Sequence, residues 1–192
     1  MEHSIDYAKS GGDFIDKIVV STDNADIKRA AIAAGIDVID RPVELSTDTT
    51  PTIAVLKHVL ETFEKEFDNV ILLQPTNPLR PADLLKDAFD KFLAGNFDSL
   101  ITVSPEIRKL GRITDDIFIP FNYAFGQRSQ DLEPLYYENG LLYIIKSDLI
   151  LKGHLLGERN YPYVIDHPFA KVDIDLKEDL EYAQYIHNKF SK

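Results

Sequence analysis

The chain has no cysteine among its 192 residues. That excludes disulfides, thiolate-bound zinc and a thiol nucleophile. It also lacks a Gly-x-Ser-x-Gly elbow, and its histidines, His3, His58, His154, His167 and His187, stand apart with neither metal-ligand nor nucleophile–base spacing, so acyl-transfer chemistry has no candidate machinery. No apolar run reaches the length of a membrane span, and no basic-then-apolar leader opens the sequence. The expected protein is not membrane-bound and is cytoplasmic. Positive charge is scarce: 21 Lys and Arg against 32 Asp and Glu give a net charge of −11, with no basic block. Nucleic acid is therefore not an expected partner, since a phosphate backbone demands a basic stripe. Any nucleotide bound here needs a metal ion or a few placed basic side chains.

What is present is an ordinary globular composition, 44% hydrophobic, enough for one core and read as one domain over residues 1–192. Short apolar runs alternate with helix-period segments, the signature of an α/β fold with a mostly parallel sheet. Strands are expected at Lys17–Ser21, Asp37–Asp40, Val70–Leu73, Asp98–Ser104, Leu141–Ile145 and Lys171–Asp175. A helix from Ala25 should end at Gly35, with Thr22, Asp23 or Asn24 as its cap. Another should open at Thr50-Pro51 and bury Ile53, Leu56, Leu60, Phe63 and Phe67 at three- and four-residue spacing. Leu85, Ala88, Phe89 and Phe92 mark the inner face of a third, and Leu180, Ala183 and Ile186 or His187 that of a last helix over Lys177–Phe190. From Pro105 the rhythm breaks into arginines, aromatics and scattered prolines. Residues 105–138 read as an excursion from the sheet, expected to form a dimer.

Leu72 to Arg80, Leu-Leu-Gln-Pro-Thr-Asn-Pro-Leu-Arg, is the most informative segment. It ends a buried strand and presents Gln74, Thr76, Asn77 and Arg80 between two prolines, which stiffen the loop. A polar loop at the carboxyl end of an α/β strand is where such folds contact ligands. The alternative is a plain strand-to-helix connection with Pro81 in the first turn. Asp173-Ile174-Asp175 places two carboxylates on one side of an extended segment. They suit a hard cation such as magnesium (Mg2+), held with substrate phosphates. Against this, Asp175 and Glu178 have the spacing of a capping box. Asn139-Gly140 reads as a turn entering the strand that carries Tyr143. Arg128 and Gln130 offer a forked cation and an amide that suit a carboxylate, or are solvated loop residues. Arg41-Pro42 is a stiffened arginine after the second strand.

Val20-Ser21-Thr22-Asp23, Arg41-Pro42, Leu73-Gln74-Pro75-Thr76-Asn77-Pro78-Leu79-Arg80, Asn139-Gly140-Leu141-Leu142-Tyr143 and Asp173-Ile174-Asp175 occur in this order along nearly the whole chain. Together they resemble the acylneuraminate cytidylyltransferase family, the CMP-sialic acid synthetases and their legionaminic and pseudaminic acid relatives. The resemblance implies a three-layer Rossmann-like nucleotide-sugar transferase fold. It implies transfer of CMP from CTP to a nine-carbon α-keto acid sugar with loss of pyrophosphate. Asp173 and Asp175 would hold Mg2+ against the triphosphate. Gln74, Thr76, Gln130, Asn139 and Tyr143 would line the sugar pocket, Arg128 would meet the sugar carboxylate, across the interface of the family's dimer, and Arg41 and Arg80 would serve the nucleotide. A homodimer is implied as well.

One departure from the family accompanies the match. Family members begin with a strand and a Gly-rich basic phosphate loop, whereas Met1 corresponds to the end of the helix that follows. That strand would lie between the Lys17–Ser21 and Val70–Leu73 strands, so their edges should be unpaired unless they close on each other. Impaired catalysis is the expected consequence. The alternative is a non-catalytic subunit that binds an acid sugar or a nucleotide.

Overall fold

The computed structural model describes residues 1–191. In chain order its elements are α1 (Glu2–Lys9), β1 (Val19–Thr22), α2 (Ala25–Ala33), β2 (Asp37–Asp40), α3 (Thr52–Glu61), β3 (Asn69–Leu72), α4 (Leu84–Ala94), β4 (Ser99–Glu106), β5 (Gly111–Thr114), β6 (Ile117–Pro120), β7 (Leu135–Lys146), α5 (Ser147–Leu151), β8 (Asn160–Val164) and α6 (Lys177–Phe190). The main sheet has the order β3-β7-β4-β8. Its centre is β7, whose Leu141, Leu142, Ile144 and Ile145 are wholly buried.

Alternation assigns these side chains to two cores. Leu142 and Ile144 pack with Leu84, Leu85, Ala88 and Phe92 of α4. Tyr143 and Ile145 pack with Leu56 of α3 and Ile150 of α5. Helices thus cover both faces, which is why β7 is apolar without interruption. The sheet is mixed: β7 runs antiparallel to β3 and β4, while β8 is parallel to β4. The link from β4 to β7 is the excursion, which has no crossover helix, so the chain returns antiparallel.

A second sheet, β1 beside β2 in parallel, stands apart. Among the described residues β1 is hydrogen-bonded in a ladder to β2 alone and β3 to β7 alone. The two edges have not closed on each other. Helix α1 ties the two sheets together. Its Ile5 packs on Ala31 and Ile36 of the α2 layer, and its Tyr7 hydroxyl donates to the Pro81 carbonyl and accepts from the Leu85 N–H, both at 2.9 Å.

Several boundaries differ from expectation for local reasons. Asn24 is the cap of α2, its Oδ1 accepting from the N–H groups of Asp26 and Ile27. Helix α3 stops at Glu61, where the Thr62 hydroxyl bonds the Val59 carbonyl, so Phe63 and Phe67 lie beyond it and meet edge to face at 5.2 Å. Pro81 precedes α4, accepting from the Leu84 N–H. Lys171–Asp175 is not a strand. A 3-10 turn, Pro168–Lys171, runs into an extended segment bonded to a loop rather than to a ladder. Leu180 is 57% exposed, leaving Ala183 and Ile186 as the buried residues of α6. Helix α1 is the helix end that the resemblance places at the start of the sequence, while helix α5 and strand β8 were not expected.

In the excursion, β5 and β6 form a hairpin. Its two central residues, Asp115 and Asp116, have φ of 51° and 63°, as a type I′ turn requires, and aspartate tolerates that conformation better than most residues. No described helix is long and apolar enough to cross a membrane.

Candidate active site

The loop after β3 folds back on itself. The Gln74 carbonyl accepts from the Asn77 N–H at 3.2 Å and from Arg80 Nη2 at 2.9 Å. Gln74 is half-buried and Thr76 exposed, while Asn77 and Arg80 are buried. Thr76 Oγ1 lies 3.3 Å from Asn77 Oδ1. Arg80, 6% exposed, forms no ion pair among the described residues. Its Nε donates to the Leu141 carbonyl at 2.6 Å, its Nη1 to Ser4 Oγ at 3.1 Å, and it lies 5.6 Å from the centre of the Tyr7 ring. Burial pulls the guanidinium down to about 10, opposed by the Tyr7 phenol. Of the residues assigned to nucleotide by resemblance, Arg80 thus spends its recorded bonds inside the protein.

Across from this loop β7 is not a turn followed by a strand. It is continuous, with a wide bulge: β7 advances from Glu138 to Tyr143 while β4 advances only from Val103 to Ile101. Bulges redirect side chains and recur beside active sites. The Thr102 hydroxyl holds this one, donating to the Leu142 carbonyl at 3.2 Å and accepting from its N–H at 3.1 Å. Asn139 is buried and committed: Nδ2 donates to Ser104 Oγ at 2.9 Å, and Oδ1 accepts from the Leu141 N–H at 3.2 Å. Gly140 has φ +72°, and a Cβ there would stand 2.5 Å from Asn77 Oδ1 and 2.7 Å from Gln74 Oε1. The glycine therefore lets two side-chain amides close over the bulge.

Tyr143 pairs with Leu72 of β3 and is 8% exposed. Its hydroxyl donates to Glu138 Oε2 at 3.3 Å. Burial, then the Glu138 carboxylate, pushes the phenol up to about 12. It remains a hydrogen-bond donor at neutral pH. Glu138 was missed in the sequence. Inside a strand it would simply alternate, and only the bulge brings it to Tyr143.

The segment after the 3-10 turn completes the arrangement. Asn77 Nδ2 donates to the Val172 carbonyl at 3.0 Å, and the Ile174 N–H donates to the Thr76 carbonyl at 2.8 Å. Val172 is fully buried and Ile174 half-buried, while Asp173 and Asp175 are exposed. Both aspartates are therefore open to solvent on the segment beside the Gln74 loop, although no strand carries them. The capping alternative for Asp175 is resolved differently: Asp179 Oδ2 accepts from the N–H groups of Asp175 and Leu176, at 3.0 and 2.8 Å. Asp179 caps α6, so Asp175 is not needed for it. Two free, hard oxygen donors fit magnesium, which completes its shell with water and phosphates. Among the described residues no His, Cys, Asp or Glu joins them as a third ligand.

Arg128 and Gln130 stay in the excursion. The Arg128 fork is exposed and grips its neighbour Asp131, with Nε and Nη2 each 2.9 Å from a carboxylate oxygen. Gln130 sits in the 3-10 turn Ser129–Asp131. Neither is hydrogen-bonded to the Gln74 loop or to β7 among the described residues. Arg41 follows β2, its Nη2 donating to the Ser21 carbonyl at 2.7 Å. Its buried Nε and the buried Ser21 hydroxyl have no partner among the described residues. The structure thus brings the Gln74–Thr76 loop beside Gly140 and the Asp173–Asp175 segment, sets the Tyr143 hydroxyl on Glu138, spends the Asn139 amide inside the bulge, and leaves Arg41 on the second sheet.

The sequence profile of the cytidylyltransferase family matches residues 1–190. An N-acylneuraminate cytidylyltransferase from Streptococcus agalactiae is 32% identical over 186 residues, covering 92% of this chain and 44% of that protein. A CMP-N,N'-diacetyllegionaminic acid synthase from Legionella pneumophila is 30% identical over 175 residues, covering 85% of this chain and 75% of that protein. The chain spans less than half the length of the streptococcal relative it matches. Among solved structures, a CMP:2-keto-3-deoxy-manno-octonic acid synthetase complexed with CTP superposes with a TM-score of 0.68 at 14% identity, over 98% of this chain and 87% of that one. The last likeness is one of fold.

Proposed function

The chain belongs to the cytidylyltransferase family, and from that premise we propose that it transfers CMP from CTP to a nine-carbon α-keto acid sugar of the sialic-acid class, releasing pyrophosphate. The observation that carries this reading is the convergence, through Asn77–Val172 and Thr76–Ile174, of the polar Gln74 loop with the Asp173–Asp175 carboxylates. One side offers amides and a phenol to a polyhydroxy acid, the other hard oxygens to a cation.

In the reaction the anomeric hydroxyl oxygen attacks the α-phosphorus and gives up its proton to solvent, and the bond to pyrophosphate breaks. This is phosphoryl-type displacement, achieved by positioning and charge neutralisation rather than by a covalent enzyme intermediate. Magnesium, held by Asp173 and Asp175, would supply neutralisation of the triphosphate. Gln74 and Tyr143 orient the sugar, with Glu138 holding the Tyr143 hydroxyl. Arg128, which stays in the excursion, would come to the sugar carboxylate of a partner chain across the dimer interface, exchanging Asp131 for it, since a fork that binds one carboxylate side-on suits another. Arg41, with its unpartnered Nε, takes the nucleotide. A cytoplasmic compartment suits the use of CTP.

The test is formation of CMP-sugar from CTP and Mg2+ with sialic, legionaminic or pseudaminic acid in turn. Turnover with one of them is the expected result. Absence of both turnover and CTP binding sinks the reading, while calorimetric binding of sugar without CTP points to a non-catalytic subunit.

The excursion supports a homodimer. Ile107, Ile113, Ile117, Phe121 and Phe125 are 64–77% exposed, and a two-stranded hairpin is marginal by itself. Such a patch marks an interaction surface. Sedimentation should give twice the 21.8 kDa chain mass, reduced to one chain by Ile113→Asp with Phe121→Asp. A monomer in the unsubstituted protein rejects the dimer.

A further inference from the structure

Arg80 is an unusual cation for an acidic protein. It is buried, has no carboxylate partner among the described residues, and spends its planar fork on a hydroxyl and two carbonyls from three different parts of the fold: Ser4 in α1, Gln74 in the loop after β3, and Leu141 in the β7 bulge. Buried charge is costly unless hydrogen-bonded. A side chain kept in that position must return something that an apolar residue would not. What it returns is spacing. The carbonyls of Gln74 and Leu141 belong to the two segments that meet at Gly140, the loop after β3 and the β7 bulge. One guanidinium bonded to both fixes their separation, because its donors are rigidly placed. The same separation decides how closely the Gln74 and Asn77 amides approach Gly140.

We propose that Arg80 is a positioning residue, one that clamps the Gln74 loop to the β7 bulge so that the Gln74 amide is held for the sugar and that itself touches no ligand. The proposal rests on the assignment of Gln74 to the sugar. It removes Arg80 from the nucleotide pocket and makes sugar affinity depend on a residue facing α1. Thr102 completes the clamp from the other side, gripping the residue after Leu141 by both its N–H and its carbonyl.

Arg80→Lys is the informative variant. An ammonium keeps the charge but is a point donor that cannot reproduce the fork. Calorimetry with sialic acid and, separately, with CTP and Mg2+ reads the two ligands independently. Arg80→Lys should weaken sialic acid binding by about tenfold and leave CTP within about twofold. Gln74→Ala should weaken sialic acid in the unsubstituted chain but have little further effect on the Arg80→Lys background, because the amide is already displaced. A purely structural role would make the two losses multiply. Multiplicative losses, or a loss of CTP affinity with sugar binding intact, overturn the proposal. If Gln74→Ala alone does not change sialic acid binding, the sugar assignment fails first and the positioning role with it. Should Arg80→Lys not fold, Ser4→Ala removes one of the three anchors and carries the same non-additivity test, with an expected loss of about threefold.

Discussion

Asp173→Asn and Asp175→Asn will each lower CMP transfer by about a hundredfold or more, near 3 kcal/mol of transition-state stabilisation, with no matching loss of stability. Both carboxylates are exposed, and the capping of α6 falls to Asp179. Neither change removes a described structural bond, so unfolding free energies should stay within about 0.5 kcal/mol. What is lost is anionic oxygen. An amide keeps the shape but binds a hard cation far less well, and the triphosphate then meets a site with half its cation-holding charge. The concentration of Mg2+ needed for half-maximal rate should rise in both variants. The double variant should be little worse than either single one, because groups that hold one ion act as a unit. Steady-state rates across a Mg2+ titration, beside urea unfolding, decide the matter. An unchanged rate in both variants removes the pair from the mechanism.

Gly140→Ala should damage fold and site together. An L-residue at φ +72° carries about 1–2 kcal/mol of backbone strain, and the added Cβ would fall 2.5 Å from Asn77 Oδ1 and 2.7 Å from Gln74 Oε1. Gln74 is half-buried and can swing away. Asn77 cannot easily follow, because its Nδ2 is tied to the Val172 carbonyl. Pushing it back disturbs the segment that carries Asp173. The combined cost is about 2–4 kcal/mol of stability, read as a lower urea midpoint with unchanged slope. Sialic acid binding should fall because Gln74 has moved. Stability within about 0.5 kcal/mol of the unsubstituted protein would show that the bulge relaxes freely and that Gly140 is not required there.

Much of this was readable from the chain. Proline restricts its own and the preceding residue, so the stiff Gln74 loop followed from local chemistry. The apolar run Leu141–Ile145 was legible as a strand, but its central place in the sheet, covered on both faces, was not. The last helix fell where its periodicity placed it, though its cap did not. The helix starts at Lys177 as expected, but its N-cap position is Leu176 rather than Asp175, and the side chain that reaches back to the free N–H groups is that of Asp179. The bulge was not readable. Asn-Gly is a turn signal, and what converts it into a kinked strand is Thr102, Ser104 and Arg80, side chains 35 to 61 residues away. The Arg128–Asp131 grip lay in plain view as an i, i+3 pair, but spacing alone cannot say whether an arginine is committed to a neighbour or open to a ligand.

The separation of the two sheets has an energetic consequence. The β1–α2–β2 layer rests on a small cluster around Ile5, Ala31 and Ile36 and shares no ladder with β3. Loosening it would break none of the main sheet's strand pairing, so its amides should exchange with solvent faster than those of β7. Arg41 rides on that layer. A ligand gripped by Arg41 must spend part of its interaction energy on ordering the layer, and its measured affinity then reports on local folding as much as on contact.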